Sequence, residues 1–297
     1  MNTFRLPFLC ALALALLISG CDKDQEREQP KQPEPVKPKV DPAPPLAASG
    51  HLERITQAKV LRIGVKGDSP PFCYLDKEGR PVGFDVDLGF RLARKLGVQP
   101  VFVTVPTAER VAKLKAGEID CIIATFTATR RRAKDVDFSI PYFQDQQKLL
   151  VKAASPVQSY RDLSGKKVAV IRNTTSLNNL KVVAPDAKFV EVDTLAAGLS
   201  KLEAGEVDAL TGDGISLLGL RLTSADPTQT RIAGEGFSVE PYVIGLPRND
   251  SDFRGRVDEF LTELWNSGSW TRLFDKWLGE KSPYNLQAQF QMAVLPE

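Results

Sequence analysis

The octapeptide KLKAGEID at residues 113–120 returns as KLEAGEVD at 201–208, 88 positions later. Each copy joins the end of a helix, a glycine suited to a left-handed C-cap, and the entry to an apolar strand. The chain is therefore expected to build one helix-to-strand unit twice, in two lobes of like construction. From about residue 59 short β-rich runs alternate with helical ones, the pattern of βαβ units around mainly parallel sheets.

Strands are expected at VLRIGV (60–65), VFVTV and IDCIIAT, with a small hairpin at PPFCYLDKEGRPVGF that turns at DKEG. FDVDLGFRLARKLG places Val86, Phe90, Ala93 and Leu96 on one helical stripe, and Gly97 stops it. AERVAKLKAG is the next helix. KKVAVI (166–171) restarts the pattern, followed by a helix through TSLNNLKVV, the strand KFVEV, the helix LAAGLSKLEAG and the helix GISLLGLRL. Two closing helices, FRGRVDEFLTELWNSG and SWTRLFDKWLG, are rich in large apolar residues and should dock on one lobe. Two extended segments, around 142–151 and 237–246, pass between the lobes, and twin crossovers make a hinge able to close on a ligand. The lobes are expected over 51–145 with 241–297, and over 146–240.

The 297 residues are 42% hydrophobic and 26% charged, ordinary globular values. A formal net charge of +2, with short basic runs that lack interleaved aromatics, gives a nucleic-acid partner little electrostatic support. His51 is the only histidine and flanks a linker, so neither a cysteine–histidine metal site nor a cofactor is expected. Residues 1–20 read as an export signal: Arg5 supplies the positive end and FLCALALALLIS an apolar stretch too short to span a bilayer comfortably. Residues 22–50 are charged and then proline-rich, a tether of up to roughly 3 Å per residue. Of four cysteines, Cys10 lies in the signal and Cys21 ends it. Cys73 and Cys121 fall at opposite ends of neighbouring strands and are expected as free, buried thiols.

In open α/β sheets ligands lie beyond the carboxyl ends of the strands. Thr125 and Asp213 each stand five residues after the repeat aspartate, one per lobe, while Lys66 follows RIGV and Arg172 follows VAVI. These four groups are expected to converge on one cleft.

GFDVDLGFRLARKL (83–96), IDCIIATFTATRRRAKDVDFSIPYF and SGSWTRLFDKWLG together resemble the polar amino-acid binding proteins of bacterial ABC importers, the family 3 solute-binding proteins. The resemblance covers nearly all of residues 59–280. It implies an α/β, two-lobed periplasmic-binding-protein-like fold of type II, each lobe a mainly parallel sheet with flanking helices, joined by a two-segment hinge. It also implies an L-amino acid trapped between the lobes and delivery to an inner-membrane ABC permease by a monomer. LLISGC resembles a lipoprotein cleavage site, which implies an acylated Cys21. Asp22 resembles the signal for retention at the inner membrane, on its periplasmic side.

Carried over by position, Arg132 matches the grip on the ligand α-carboxylate, a bidentate task suited to a guanidinium. Asp213 matches the acceptor of the α-ammonium, Thr125 and Thr127 the donors of the turn, and Thr175 the start of a helix in the second lobe. Arg130 and Arg131 read as solvated. Thr107 stands where many members keep an aromatic platform, while Arg110 and Lys66 resemble the glutamate/aspartate-binding branch. Lys66, Arg110 and Arg132 against Asp213 leave a net positive cleft, suited to a ligand with two carboxylates. Leu195 stands near where that branch places a tyrosine. Arg172 either supplies the missing contact or faces solvent, and Phe72 and Phe126 either line the cleft or belong to the core. Two further functions share the fold: a dehydratase-like enzyme on a small carboxylated substrate, and a tethered ligand sensor. Catalysis has weak support, because the sequence pairs no two carboxylates in the cleft for acid–base work.

Overall fold

The structure is a computed structural model that describes residues 50–294; the expected signal, Cys21 and nearly all of the tether lie outside the described residues. Both copies of the repeat fold alike. Gly117 and Gly205 take left-handed backbone at φ 70° and 76°. The N–H groups of Gly117 and Glu118 reach back to the carbonyls of Leu114 and Lys113, and those of Gly205 and Glu206 to Leu202 and Lys201. This is the paired closure that satisfies the last carbonyls of a helix. The lysine and glutamate of each copy also pair, Lys113 with Glu118 at 2.7 Å and Lys201 with Glu206 at 2.5 Å. The repeat aspartates have one job twice: Asp120 accepts from the Arg62 N–H and Asp208 from the Lys167 N–H, each at 2.8 Å. Each carboxylate thus ties its own strand to the first strand of its lobe.

The first lobe holds a five-stranded sheet in the order 99–104, 60–65, 121–122, 245–246, 137–138. Val60–Val65 runs parallel to both its neighbours, whereas Gly245–Leu246 enters antiparallel. The second lobe repeats this plan in the order 188–192, 167–171, 209–213, 147–152, 230–233. There Gln147–Lys152 is the antiparallel intruder. Each sheet is mixed because a strand that arrives from the other lobe enters from the opposite end.

Both faces of each sheet are covered, so strand residues alternate between two apolar layers rather than between core and water. Val168 and Val170 face one cluster, Ala169 and Ile171 the other. In the first lobe Cys121 and Ile123 join one layer, Ile122 and Ala124 the other. Helices Ser251–Asn266 and Ser269–Trp277 pack on the first lobe through Phe253, Val257, Phe260, Leu261, Trp270 and Phe274. The hairpin pairs Cys73–Leu75 with Pro81–Val82, and its turn closes through Asp76 and Arg80. Cys73 and Cys121 are free and buried.

Between the lobes, strand Phe143–Asp145 pairs antiparallel with Glu240–Tyr242, placing Asp145 opposite Glu240 and Phe143 opposite Tyr242. This short ribbon runs one layer beneath the lining of the cleft, a floor that meets Asp213, Thr127 and Thr175 from behind. Among the described residues no helix is long and apolar enough to cross a membrane.

Candidate functional site

A narrow cleft with a cavity volume of about 30 Å³ lies between the lobes. The first lobe contributes Lys66, Arg110, Thr125, Thr127 and Arg132; the second contributes Thr175, Leu195, Asp213 and Ser216. Lys66, Thr125 and Asp213, expected at strand ends, lie together on this wall.

Thr125 ends its strand in left-handed backbone, φ 45°, an uncommon conformation for a residue with a branched side chain. Its N–H donates to the buried Asp85 carboxylate at 2.9 Å, and the Tyr142 hydroxyl donates to the same carboxylate at 2.8 Å. Burial pushes Asp85 up to about 6, against these two donors. The turn that presents Thr125 to the cleft is therefore anchored from below.

Arg110 is 4% exposed and spreads its guanidinium between two carbonyls, Thr107 O at 3.0 Å and Ala124 O at 2.6 Å. Arg132 donates to Thr127 O at 2.6 Å. Both guanidiniums lie over the Phe126 ring, at 5.2 Å and 4.4 Å from its centroid. Phe126 is thus a platform for two arginines, not for a ligand, and its favourable ring face offsets part of the cost of burying them. Burial lowers Arg110 to about 10; burial and then the Arg110 charge lower Arg132 to about 9. At neutral pH both keep their protons. Two like charges on one ring are an unbalanced arrangement that an anion in the cleft relieves.

Lys66 lies 3.5 Å from Asp68, whose other oxygen accepts the Leu195 N–H of the second lobe at 3.4 Å. Burial raises Asp68, but the Lys66 ammonium and the Leu195 N–H outweigh it and hold the carboxyl below its usual range. In the floor, the Tyr242 hydroxyl sits between Asp213 at 2.9 Å and Asp145 at 3.3 Å. A phenol has one proton to donate, so the two carboxylates compete for it. Burial raises Asp213; burial and then the Asp213 charge raise Asp145. Sequence reasoning finds no carboxylate pair here, and the structure corrects it: Asp145, from the hinge, stands behind Asp213.

Glu240 is the hub on the other side of the floor. It accepts from the Thr127 hydroxyl at 2.7 Å, the Thr175 hydroxyl at 2.9 Å and the Asn179 amide at 3.1 Å, linking both lobes through the hinge. The hydroxyls of Thr127 and Thr175 are therefore engaged with the protein. Burial, with the Asp213 charge second, raises Glu240.

Two expected contributors lie elsewhere. Arg172 is half-exposed and pairs with Asp193 at 3.1 Å on the surface, since its side chain leaves the strand end on the solvent side. Phe72 is fully buried in the first lobe, edge-on to Phe84, Phe143 and Tyr242. Arg130 and Arg131 are exposed. Asp68, Glu240 and Asp145 were missing from the charge count made on the sequence. The wall itself still carries three cations against the single carboxylate of Asp213, with Asp68 and Glu240 one layer behind. Ser216 was missed too: it lines the cleft, is 2% exposed, and its hydroxyl has no partner. A serine one turn into a helix after a strand-end aspartate is the signal that would have found it. Among the described residues no cluster of three metal-ligating side chains occurs.

Two mixed sheets, a two-strand hinge and a cleft walled by both lobes define a hinged solute-binding protein. Residues 61–280 match the bacterial extracellular solute-binding proteins, family 3, and the chain belongs to that family. It is 33% identical over 235 residues to the ABC transporter glutamine-binding protein GlnH of Bacillus subtilis (strain 168), covering 77% of this chain and 85% of that protein. It is 28% identical over 260 residues to an L-glutamate/L-aspartate-binding protein of Pseudomonas aeruginosa, covering 82% and 85%. Among solved structures it is similar to the P235GK mutant of ArgBP from T. maritima, with 32% identity and a TM-score of 0.72 over 76% of this chain and 98% of that one.

Proposed function

We propose that this chain is an extracytoplasmic amino-acid-binding protein of an ABC importer, held at the membrane through an acylated Cys21, and that it captures an acidic L-amino acid, glutamate or aspartate, by closing its lobes. The observation that carries the specificity is the wall of Lys66, Arg110 and Arg132 facing a single lining carboxylate, Asp213. An acidic amino acid brings two carboxylates for these cations and one ammonium for Asp213. Arg132 takes the α-carboxylate and Asp213 the α-ammonium, while Arg110 and Lys66 take the side-chain carboxylate. The glutamine-binding and glutamate/aspartate-binding relatives support the amino-acid class.

Calorimetric titration with L-glutamate, L-aspartate, L-glutamine and L-arginine tests the reading. The two acids should bind at least tenfold more tightly than the other two. Tighter binding of glutamine or arginine than of both acids would overturn the acidic specificity. Mass spectrometry of the ligand after incubation should recover it unchanged, and conversion would assign an enzyme instead.

A further inference from the structure

The loop of the first lobe that begins with Lys66 in the cleft also carries the contacts that hold the second lobe against it. Asp68 takes the Leu195 N–H, and two residues on the Pro70 carbonyl faces Gly219, in the middle of helix Gly214–Leu222. A Cβ placed on Gly219 would stand 2.2 Å from the Pro70 oxygen, 2.8 Å from its carbonyl carbon and 2.5 Å from the Tyr284 hydroxyl. The first two atoms are backbone and have no side-chain rotation by which to yield. Asp213, Ser216 and Gly219 are spaced three apart and share one face of this helix and its cap. The helix thus lines the cleft with its start and meets the first lobe with its middle.

Gly219 is helical, and φ does not require glycine there. Alanine is the better helix former, so the glycine is a local cost to the second lobe that the contact with Pro70 explains. We propose that Gly219 is a positioning residue for ligand capture: its missing side chain lets the helix behind Asp213 seat on the Pro70 carbonyl, and only then do Asp213 and Lys66 face one ligand. This rests on the reading of the protein as a hinged binder, though not on which amino acid it binds.

Gly219→Ala is compared with wild type and with Gly255→Ala, a helical glycine with nothing within 4 Å of its Cβ position. The ligand is whichever of L-glutamate, L-aspartate, L-glutamine and L-arginine wild type binds most tightly. Gly219→Ala should bind at least tenfold more weakly, with a ligand-free Tm equal to or above that of wild type, and Gly255→Ala should bind within twofold. Spin labels at the exposed positions Leu75 and Val182, one on each lobe, should show a short-distance population in wild type that Gly219→Ala loses. Unchanged affinity in Gly219→Ala overturns the proposal. So does a clear fall in its ligand-free Tm, which would make the glycine a folding residue of the second lobe. If wild type binds none of the four amino acids, the functional reading fails, and the spin-label distances alone decide the proposal: a short-distance population that survives in Gly219→Ala overturns it.

Discussion

Arg110 and Arg132 share one aromatic ring, yet the protein holds them differently, and the difference predicts different losses. Arg110 is buried and held by two carbonyls, whereas Arg132 makes one such bond and keeps the rest of its fork for the cleft. Arg132→Ala should lose roughly 3–5 kcal/mol of binding, beyond a hundredfold, because it leaves a ligand carboxylate unpaired in a closed site. Titration of the variant checks this, and normal binding would misplace the site. Arg110→Ala should mainly narrow the preference for acidic over amide ligands. Ser216 turns into the cleft a hydroxyl that bonds no other group of the described residues, which leaves it free for a ligand. Ser216→Ala should therefore weaken ligand binding severalfold at an unchanged ligand-free Tm; unchanged affinity would show that the ligand does not reach it. Arg132 was singled out in TATRRR by the family resemblance alone, since nothing local separates it from Arg130 and Arg131. Asp68 and Glu240 were not, because the importance of each depends on the side chain or N–H it meets from the other lobe, which no local pattern encodes.

The elements that form the hinge concentrate the buried acids, and this gives the protein a definite pH response. Segments 142–151 and 237–246 were legible as crossovers from their extended, apolar character, and the ribbon Phe143–Asp145 with Glu240–Tyr242 falls within them. Their acids were not legible as a group, since Asp145 meets Asp213 and Glu240 meets Thr175 only once the chain has crossed between lobes. Asp85 rises from its ordinary 3.8 to about 6, and Asp145 and Asp213 move the same way. A carboxyl that ionises less readily in the folded chain than in the unfolded one binds more protons when folded. Its contribution to stability is present in full below the unfolded value and is lost as pH rises through the folded one. For Asp85 that window runs from 3.8 to about 6, and the Asp145–Asp213 pair acts in the same direction. Asp145→Asn cannot ionise; it keeps one acceptor for the Gln146 N–H and loses the one that takes the Ile215 N–H, a cost that does not change with pH. Relative to wild type it should gain stability between pH 5 and pH 8, on the order of 1 kcal/mol. Calorimetric Tm curves that run parallel across this range would refute the assignment. Ligand affinity should move oppositely in wild type, strengthening as pH rises from 5 and Asp213 ionises toward the ligand ammonium.

At the scale of the whole molecule, the doubled KLxAGExD unit made the two lobes legible, and strand-end reasoning made the cleft between them legible. The last stretch was not read as an element, although LQAQFQM alternates apolar residues with glutamine in the period of a strand, and the family match ends at residue 280. In the structure residues 283–294 pack along the first lobe. Met292 is 3% exposed, and Phe290 sets its ring 6.3 Å from Phe143, 6.0 Å from Trp265 and 5.6 Å from Trp270. Phe143 belongs to the hinge ribbon, so the segment braces the side of the first lobe from which the hinge strand departs. Its alternation turns Leu286, Phe290 and Met292 toward the lobe and the glutamines toward solvent, but no strand pairs with it, so its stabilisation comes from tertiary burial. Met292→Ala leaves a cavity among these rings and should cost about 2–5 kcal/mol. Urea unfolding should show the loss as a lower midpoint at an unchanged slope, because the surface exposed on unfolding barely changes. Ligand affinity measured at a temperature where the variant stays folded should match wild type, since Met292 lines no part of the cleft. A midpoint that does not move would mean that the segment leaves the first lobe in solution. A lost affinity with an unmoved midpoint would instead place it in the mechanics of closure, through the same Tyr284 hydroxyl that meets Gly219.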